Sequence, residues 1–150
     1  MREIEFIALI SFISAIAALS IDSFLPALPH IADDLGFISL QQSHFLVSLF
    51  VFGMVFGELV FGPLSDAYGR RPGLLLGLAI YCVGTIIALS AKSFEQIVLG
   101  RVIHGFGVSG PKIIGRAVVR DRFEGAAMAR VMSLVFSVFI LVPMLAPALG

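Results

Sequence analysis

Five apolar runs, too long and too evenly spaced for a soluble core, succeed one another along the 150-residue chain, and between the second and third stands the polar segment Gly62-Pro63-Leu64-Ser65-Asp66-Ala67-Tyr68-Gly69-Arg70-Arg71-Pro72. The runs predict membrane-spanning helices at 6–25, 45–61, 73–91, 96–118 and 131–149. Each is close to the roughly 17–25 residues that a helix needs to cross the hydrocarbon core. The expected fold class is therefore all-α, a polytopic transmembrane helix bundle. No linker, low-complexity segment or charge block marks a second domain, so residues 1–150 read as one incomplete bundle.

Composition agrees: 59% of residues are hydrophobic, mean hydropathy is +1.05 and charged residues make up 13%, about half their usual share in soluble domains. The net charge of zero hides an asymmetry between connections. Arg2 precedes the first run, Arg70 and Arg71 follow the second, and Arg120, Arg122 and Arg130 flank the connection after the fourth, whereas the alternate connections hold only Lys92. By the positive-inside bias, the N-terminus and the second and fourth connections face the cytoplasm. The segment 26–42, with Asp33 and Asp34 and no basic residue, then faces outside. A cleaved signal peptide fits poorly, because Glu3 and Glu5 interrupt the n-region and the apolar stretch is too long. The distribution of basic residues serves topology and gives no nucleic-acid-binding patch.

Charges inside spans are the place to look for chemistry, since each costs roughly 2.5–3.5 kcal/mol on insertion scales. Asp22 lies near the outer end of the first span, and Arg101 about 6 residues, or about 9 Å, below the outer start of the fourth. Their similar depth and opposite sign allow an ion pair; the alternative is that Asp22 ends its helix before Pro26 and Arg101 snorkels outwards. Glu58 and Lys112 form a second opposite-sign set near the cytoplasmic ends of their helices. They pair if the second and fourth spans touch, and Glu58 is also a candidate proton carrier. His104 follows Arg101 at i+3 on one helix face and reads either as a proton relay or as a hydrogen-bond donor to a neighbouring backbone. His30 and His44 have no partners suggesting a metal, and no metal site is expected. Cys82 reads as a small packing residue, and Gly53/Gly57 and Gly73/Gly77 as small pairs that let helices approach. In the hairpin, Gly62 and Gly69 permit tight turning, Pro63 and Pro72 bracket a short connection, and Asp66 is spaced to pair with Arg70 at i+4.

Together these residues resemble the major facilitator superfamily, and within it the drug–proton antiporters of the bicyclomycin-resistance type. Asp22-Ser23-Phe24-Leu25-Pro26-Ala27-Leu28-Pro29 looks like that group's Asp-x-x-Leu-Pro-Ala-Leu-Pro signature. Gly62-x-Leu64-Ser65-Asp66-x-x-Gly69-Arg70-Arg71 is similar to the superfamily's loop between spans two and three, and Arg101-x-x-His104-Gly105-x-Gly107 follows an Arg-x-x-Gln-Gly-x-Gly pattern. Pro143-Met144-Leu145-Ala146-Pro147-Ala148-Leu149-Gly150 resembles the antiporter motif that bends the fifth helix, with Pro143, Pro147 and Gly150 at the bend.

The resemblance implies Asp22, Arg101, His104 and Glu58 in proton coupling or the substrate pathway. It implies a cytoplasmic conformational latch of Gly62, Asp66, Gly69, Arg70 and Arg71, with Asp121 as an acidic partner of Arg70 or Arg116. Departures are Ala67 at a usually basic position, His104 for Gln, Glu58 where Gln is frequent, and Ala146 for Gly before Pro147. No cofactor is implied, the proton gradient being the energy source. The expected partners are the lipid bilayer, a small amphipathic solute and a C-terminal transporter half, because the family uses about twelve spans in two halves. A five-span piece is expected not to transport alone, and the bacterial inner membrane is the implied location. Two other classes remain: a small non-transporting membrane subunit, and, from Gly107-Val108-Ser109-Gly110, a rhomboid-like intramembrane protease with Ser109 as nucleophile.

Overall fold

The computed structural model describes residues 3–22 and 40–149 of the chain. Five helices follow in order: α1 Glu3–Asp22, α2 Leu40–Tyr68, α3 Arg70–Leu89, α4 Phe94–Arg122 and α5 Gly125–Leu149. All regular structure among the described residues is helical. The α2, α3 and α4 helices are long and apolar enough to cross a membrane over His44–Tyr68, Arg70–Leu89 and Phe94–Arg122, and shorter apolar stretches occupy Ile4–Ile16 of α1 and Gly125–Leu141 of α5. Large apolar side chains, among them Phe12, Phe52, Phe56, Leu75, Ile86 and Ile140, cover the outside. An apolar exterior is stable only against lipid, and helices that satisfy their own backbone groups are what lipid tolerates.

The segment 62–72 is not the loop that its glycines and prolines predict. Helix α2 continues through Gly62 and Pro63 to Tyr68, α3 begins at Arg70, and the connection is the single residue Gly69. Pro63 is accommodated inside α2 because a bundle re-satisfies the carbonyl that a proline frees. Pro72 falls in the first turn of α3, where the N–H it lacks has no intrahelical acceptor. Gly69 makes the reversal at φ 98°, ψ 160°, a region open essentially to glycine alone. Helix α4 is capped at both ends: Ser93 Oγ accepts from the Gln96 amide at 3.4 Å, and Phe123 N–H donates back to the Val119 carbonyl at 2.9 Å.

Helix α4 is the hub, touching all four others. Its small residues explain why. A Cβ on Gly105 would strike the Phe50 carbonyl of α2, one on Gly107 the Tyr81 amide of α3, and one on Gly100 the Ala88 backbone of α3. From the other side, Gly53 and Gly57 of α2 abut Val102 and Ser109, while Gly73 and Gly77 of α3 abut Ile114 and Pro111. Without a hydrophobic drive between helices in lipid, this close packing is the main source of association. At the end of the bundle that carries the α4–α5 connection, Phe6, Ile10, Val119, Val131 and Val135 join α1, α4 and α5 in one apolar cluster. Cys82 is exposed on α3, contrary to its expected packing role. It lies about 140° around the helix from Gly77, whose face is turned to α4.

Candidate transport pathway and charge network

The glycine seams bring four helices together around Arg101. Arg101 is 4% exposed and His104 7% exposed, so both charge-bearing side chains of this turn of α4 point into the bundle and not to the lipid. The guanidinium carbon stands 4.9 Å from the ring centre of Phe50 on α2, a cation–π arrangement whose value rises with desolvation. One guanidinium nitrogen, Nη1, is 3.4 Å from His104 Nδ1. The imidazole lies between two aromatic rings, Phe50 edge-on at 5.4 Å and Tyr81 of α3 at 4.4 Å. Tyr81 in turn reaches α1 through Ser20 Oγ, 3.1 Å from its hydroxyl. The geometry is that of an interior cation set against the Phe50 ring and the His104 imidazole, and snorkelling to the surface is excluded by this burial.

Lower on α4, Lys112 Nζ meets Glu58 Oε1 of α2 at 2.6 Å and Met54 Sδ at 3.5 Å. The second and fourth spans therefore touch, and this pair forms. Where α2 turns into α3, Arg70 gathers three partners: Nη1 to Asp66 at 2.6 Å, Nε to Asp121 at 2.9 Å, and Nη1 to Ser65 Oγ at 2.8 Å. The fully enclosed Ser65 hydroxyl itself donates to the Gly62 carbonyl at 3.0 Å. Arg70 thus ties the end of α2 to the end of α4 across the α2–α3 turn. Of the two expected partners of Asp121, Arg70 is the one that meets it; Arg116 instead lies over the Phe136 ring of α5 at 5.8 Å. Arg71 is exposed and makes no ion pair among the described residues. Gly62, expected at a tight turn, lies inside α2 with nothing within 4 Å of where a Cβ would stand. It lines a cavity of about 300 Å³ together with Asp66, Arg70, Arg116 and Arg120.

The nucleophile reading of Ser109 fails on geometry. Its hydroxyl donates to the Phe106 carbonyl of its own helix at 2.6 Å and is covered by Gly57, while the His104 ring is engaged with Arg101 and the two aromatics. His44 is exposed at the start of α2. The Asp22, Pro143 and Pro147 side chains, with His30 and Gly150, lie outside the described residues. Sequence reasoning missed Phe50, Tyr81, Ser20 and Ser65. The one available signal was spacing: Phe50 and Tyr81 each sit three residues before a glycine (Gly53, Gly84) that abuts α4.

The Major Facilitator Superfamily profile matches residues 10–150. A bicyclomycin resistance protein homolog of Haemophilus influenzae is 33% identical over 145 residues, covering 97% of this chain and 36% of that protein. The multidrug resistance protein MdtL of Klebsiella pneumoniae (strain 342) is 34% identical over 130 residues, 87% of this chain and 33% of its own length. An uncharacterized MFS-type transporter of Bacillus subtilis, YdgK, is 31% identical over 142 residues, 95% and 35% of the two chains. The chain spans about a third of the length of these curated relatives.

Proposed function

The chain belongs to the major facilitator superfamily, and from that premise we propose that it forms the N-terminal helices of a proton-coupled exporter of amphipathic, drug-like solutes. Its family is one of membrane transporters and not of enzymes. The observation that carries the proposal is the enclosed Arg101 of α4, held at membrane depth against the Phe50 ring and His104. An interior cation of this kind is costly to insert and is retained where a pathway uses it. The names of the H. influenzae and K. pneumoniae relatives point to drugs as the solute class.

In the proposed mechanism, the described helices form one wall of a central pathway, and the remaining helices of the transporter supply the other. Proton binding to Asp22 or Glu58 competes with Arg101, Lys112 or solute for the carboxylate, and so biases inward-open against outward-open states. His104 shares the Arg101 turn of that pathway. The latch of Asp66, Gly69, Arg70, Arg71 and Asp121, with Gly62 beside it, lies at the cytoplasmic side and sets the resting balance between states. In this reading the N-terminus is cytoplasmic, which the distribution of arginines supports, and the membrane is a bacterial inner membrane, which the family resemblance supports.

The test is solute-induced proton release from acidified everted membrane vesicles that hold the complete transporter. Arg101→Ala is expected to abolish coupled efflux while the protein still inserts. Retained proton-coupled efflux in that variant would overturn the proposal.

A further inference from the structure

The surroundings of His104 assign its proton. A guanidinium offers only donors, so at 3.4 Å from Arg101 Nη1 the His104 Nδ1 atom must present a lone pair, which places the ring hydrogen on Nε2. Nε2 has no hydrogen-bond partner among the described residues and faces aromatic surroundings. A weak N–H···π contact is what such surroundings offer it. The ring orientation follows from that contact, because a half-turn would set a carbon that accepts nothing against the guanidinium. Phe50 and Tyr81 flank it, and the α3 backbone presses on His104 so closely that a Cβ on Gly84 would meet the His104 backbone and Cβ.

Tyr81 is itself oriented. Ser20 has one hydroxyl hydrogen and donates it to the Ile16 carbonyl at 2.7 Å, so at the 3.1 Å contact between the two hydroxyls Tyr81 must be the donor. The direction runs Tyr81 O–H to Ser20 Oγ, then Ser20 O–H to the α1 backbone. The backbone of Tyr81 is equally constrained, because Gly107 of α4 packs directly on its amide.

We propose that Tyr81 is a positioning residue: anchored to α1 through Ser20, its ring holds His104 as a neutral acceptor that aims the Arg101 guanidinium into the pathway. His104 then serves as a fixed acceptor and not as a proton relay. What position 104 requires is a hydrogen-bond acceptor at the Nδ1 location, which a glutamine side chain also supplies and a leucine does not. This deepens the exporter reading and rests on it for the transport consequence alone; the tautomer and its anchor stand on geometry.

The experiment uses the complete transporter, labelled with ¹⁵N-histidine, and compares wild type with Tyr81→Phe, His104→Gln and His104→Leu. The His104 resonances are those missing from the His104→Gln spectrum, which separates them from His30 and His44. Near pH 7, close to where an ordinary histidine titrates, the wild type is expected to show a single neutral Nε2–H tautomer, and Tyr81→Phe a mixture. In exchange assays His104→Gln is expected to keep kcat within about threefold, while His104→Leu and Tyr81→Phe lose about tenfold or more in kcat with KM little changed, as for a lost orienting contact. An Nδ1–H or protonated His104 in the wild type overturns the proposal, as does full exchange by His104→Leu. A Tyr81→Phe protein with wild-type tautomer and rate removes the role of Tyr81. Should the tautomer results hold while Arg101→Ala still exchanges protons for solute, the exporter mechanism fails and the positioning assignment stands.

Discussion

The Glu58–Lys112 pair gives the most quantitative prediction. It joins α2 to α4 with a 2.6 Å contact and leaves the side chains only 30% and 20% exposed. Charge centres about 4 Å apart attract by about 4 kcal/mol at an effective dielectric of about 20. Drawing both groups out of water offsets a good part of that, and partial exposure keeps the balance below the roughly 3–5 kcal/mol lost when one partner of a fully buried pair is removed. A net coupling of about 2 kcal/mol follows, or about 30-fold in the folding equilibrium. The assay is a double-mutant cycle, Glu58→Gln, Lys112→Met and both together, read by equilibrium unfolding in mixed micelles. Each single variant leaves one charge among apolar side chains and is expected to be destabilised; the double variant should recover most of the loss. Additivity of the single effects to within about 0.5 kcal/mol would refute the reasoning, because contacting residues couple and independent ones do not.

Three further outcomes follow from the described contacts. Gly69→Ala places a Cβ at φ 98°, ψ 160° and should cost about 1–3 kcal/mol, visible as a lowered thermal midpoint, whereas Gly62→Ala, with no atom within 4 Å of its new methyl, should be neutral or slightly stabilising. Gly105→Ala drives a methyl into the Phe50 carbonyl and should strongly reduce the yield of folded protein on size exclusion. Asp66→Asn and Asp121→Asn each remove one carboxylate from Arg70, and cysteine accessibility on the two membrane faces should shift by about two- to fivefold, less in high salt; unchanged accessibility in both would remove the latch role.

The spans were legible because burial in lipid demands continuous apolar sequence, and that demand is independent of tertiary detail. Their ends were not, since Gly62, Pro63 and the polar residues before Tyr68 carry turn chemistry that a bundle overrides. The ionic partners were legible in three ways: Glu58 with Lys112 from sign and depth, Asp66 with Arg70 from i+4 spacing, and Asp121 through the resemblance alone, which left Arg70 and Arg116 both open. Their aromatic neighbours were hidden for a statistical reason. The chain has 14 phenylalanines, nearly all in apolar runs, so nothing in its own letter distinguishes Phe50, fully buried against Arg101, from Phe52, which faces outwards two residues later. Only the glycine spacing that turns one helix face towards α4 separates them. Cys82 was misread for the complementary reason, its smallness being no indication of which face of α3 it occupies.

Helix α4 links the enclosed cation to the proposed latch, with Arg101 and Asp121 on one continuous helix about 30 Å apart. The two ends differ in strength. The Arg101 surroundings are dry and packed through glycine seams, so this end moves with α2 and α3 as a unit. The Arg70 network is half in water, with Asp66 62% and Asp121 50% exposed, and such pairs contribute about 0.2–1 kcal/mol each. On the proposed exporter reading, which requires two states, that weakness is functional. In the proposed exporter, a latch made of two exposed pairs biases the equilibrium by about 2- to 30-fold, a range that proton binding to one interior carboxylate can overcome.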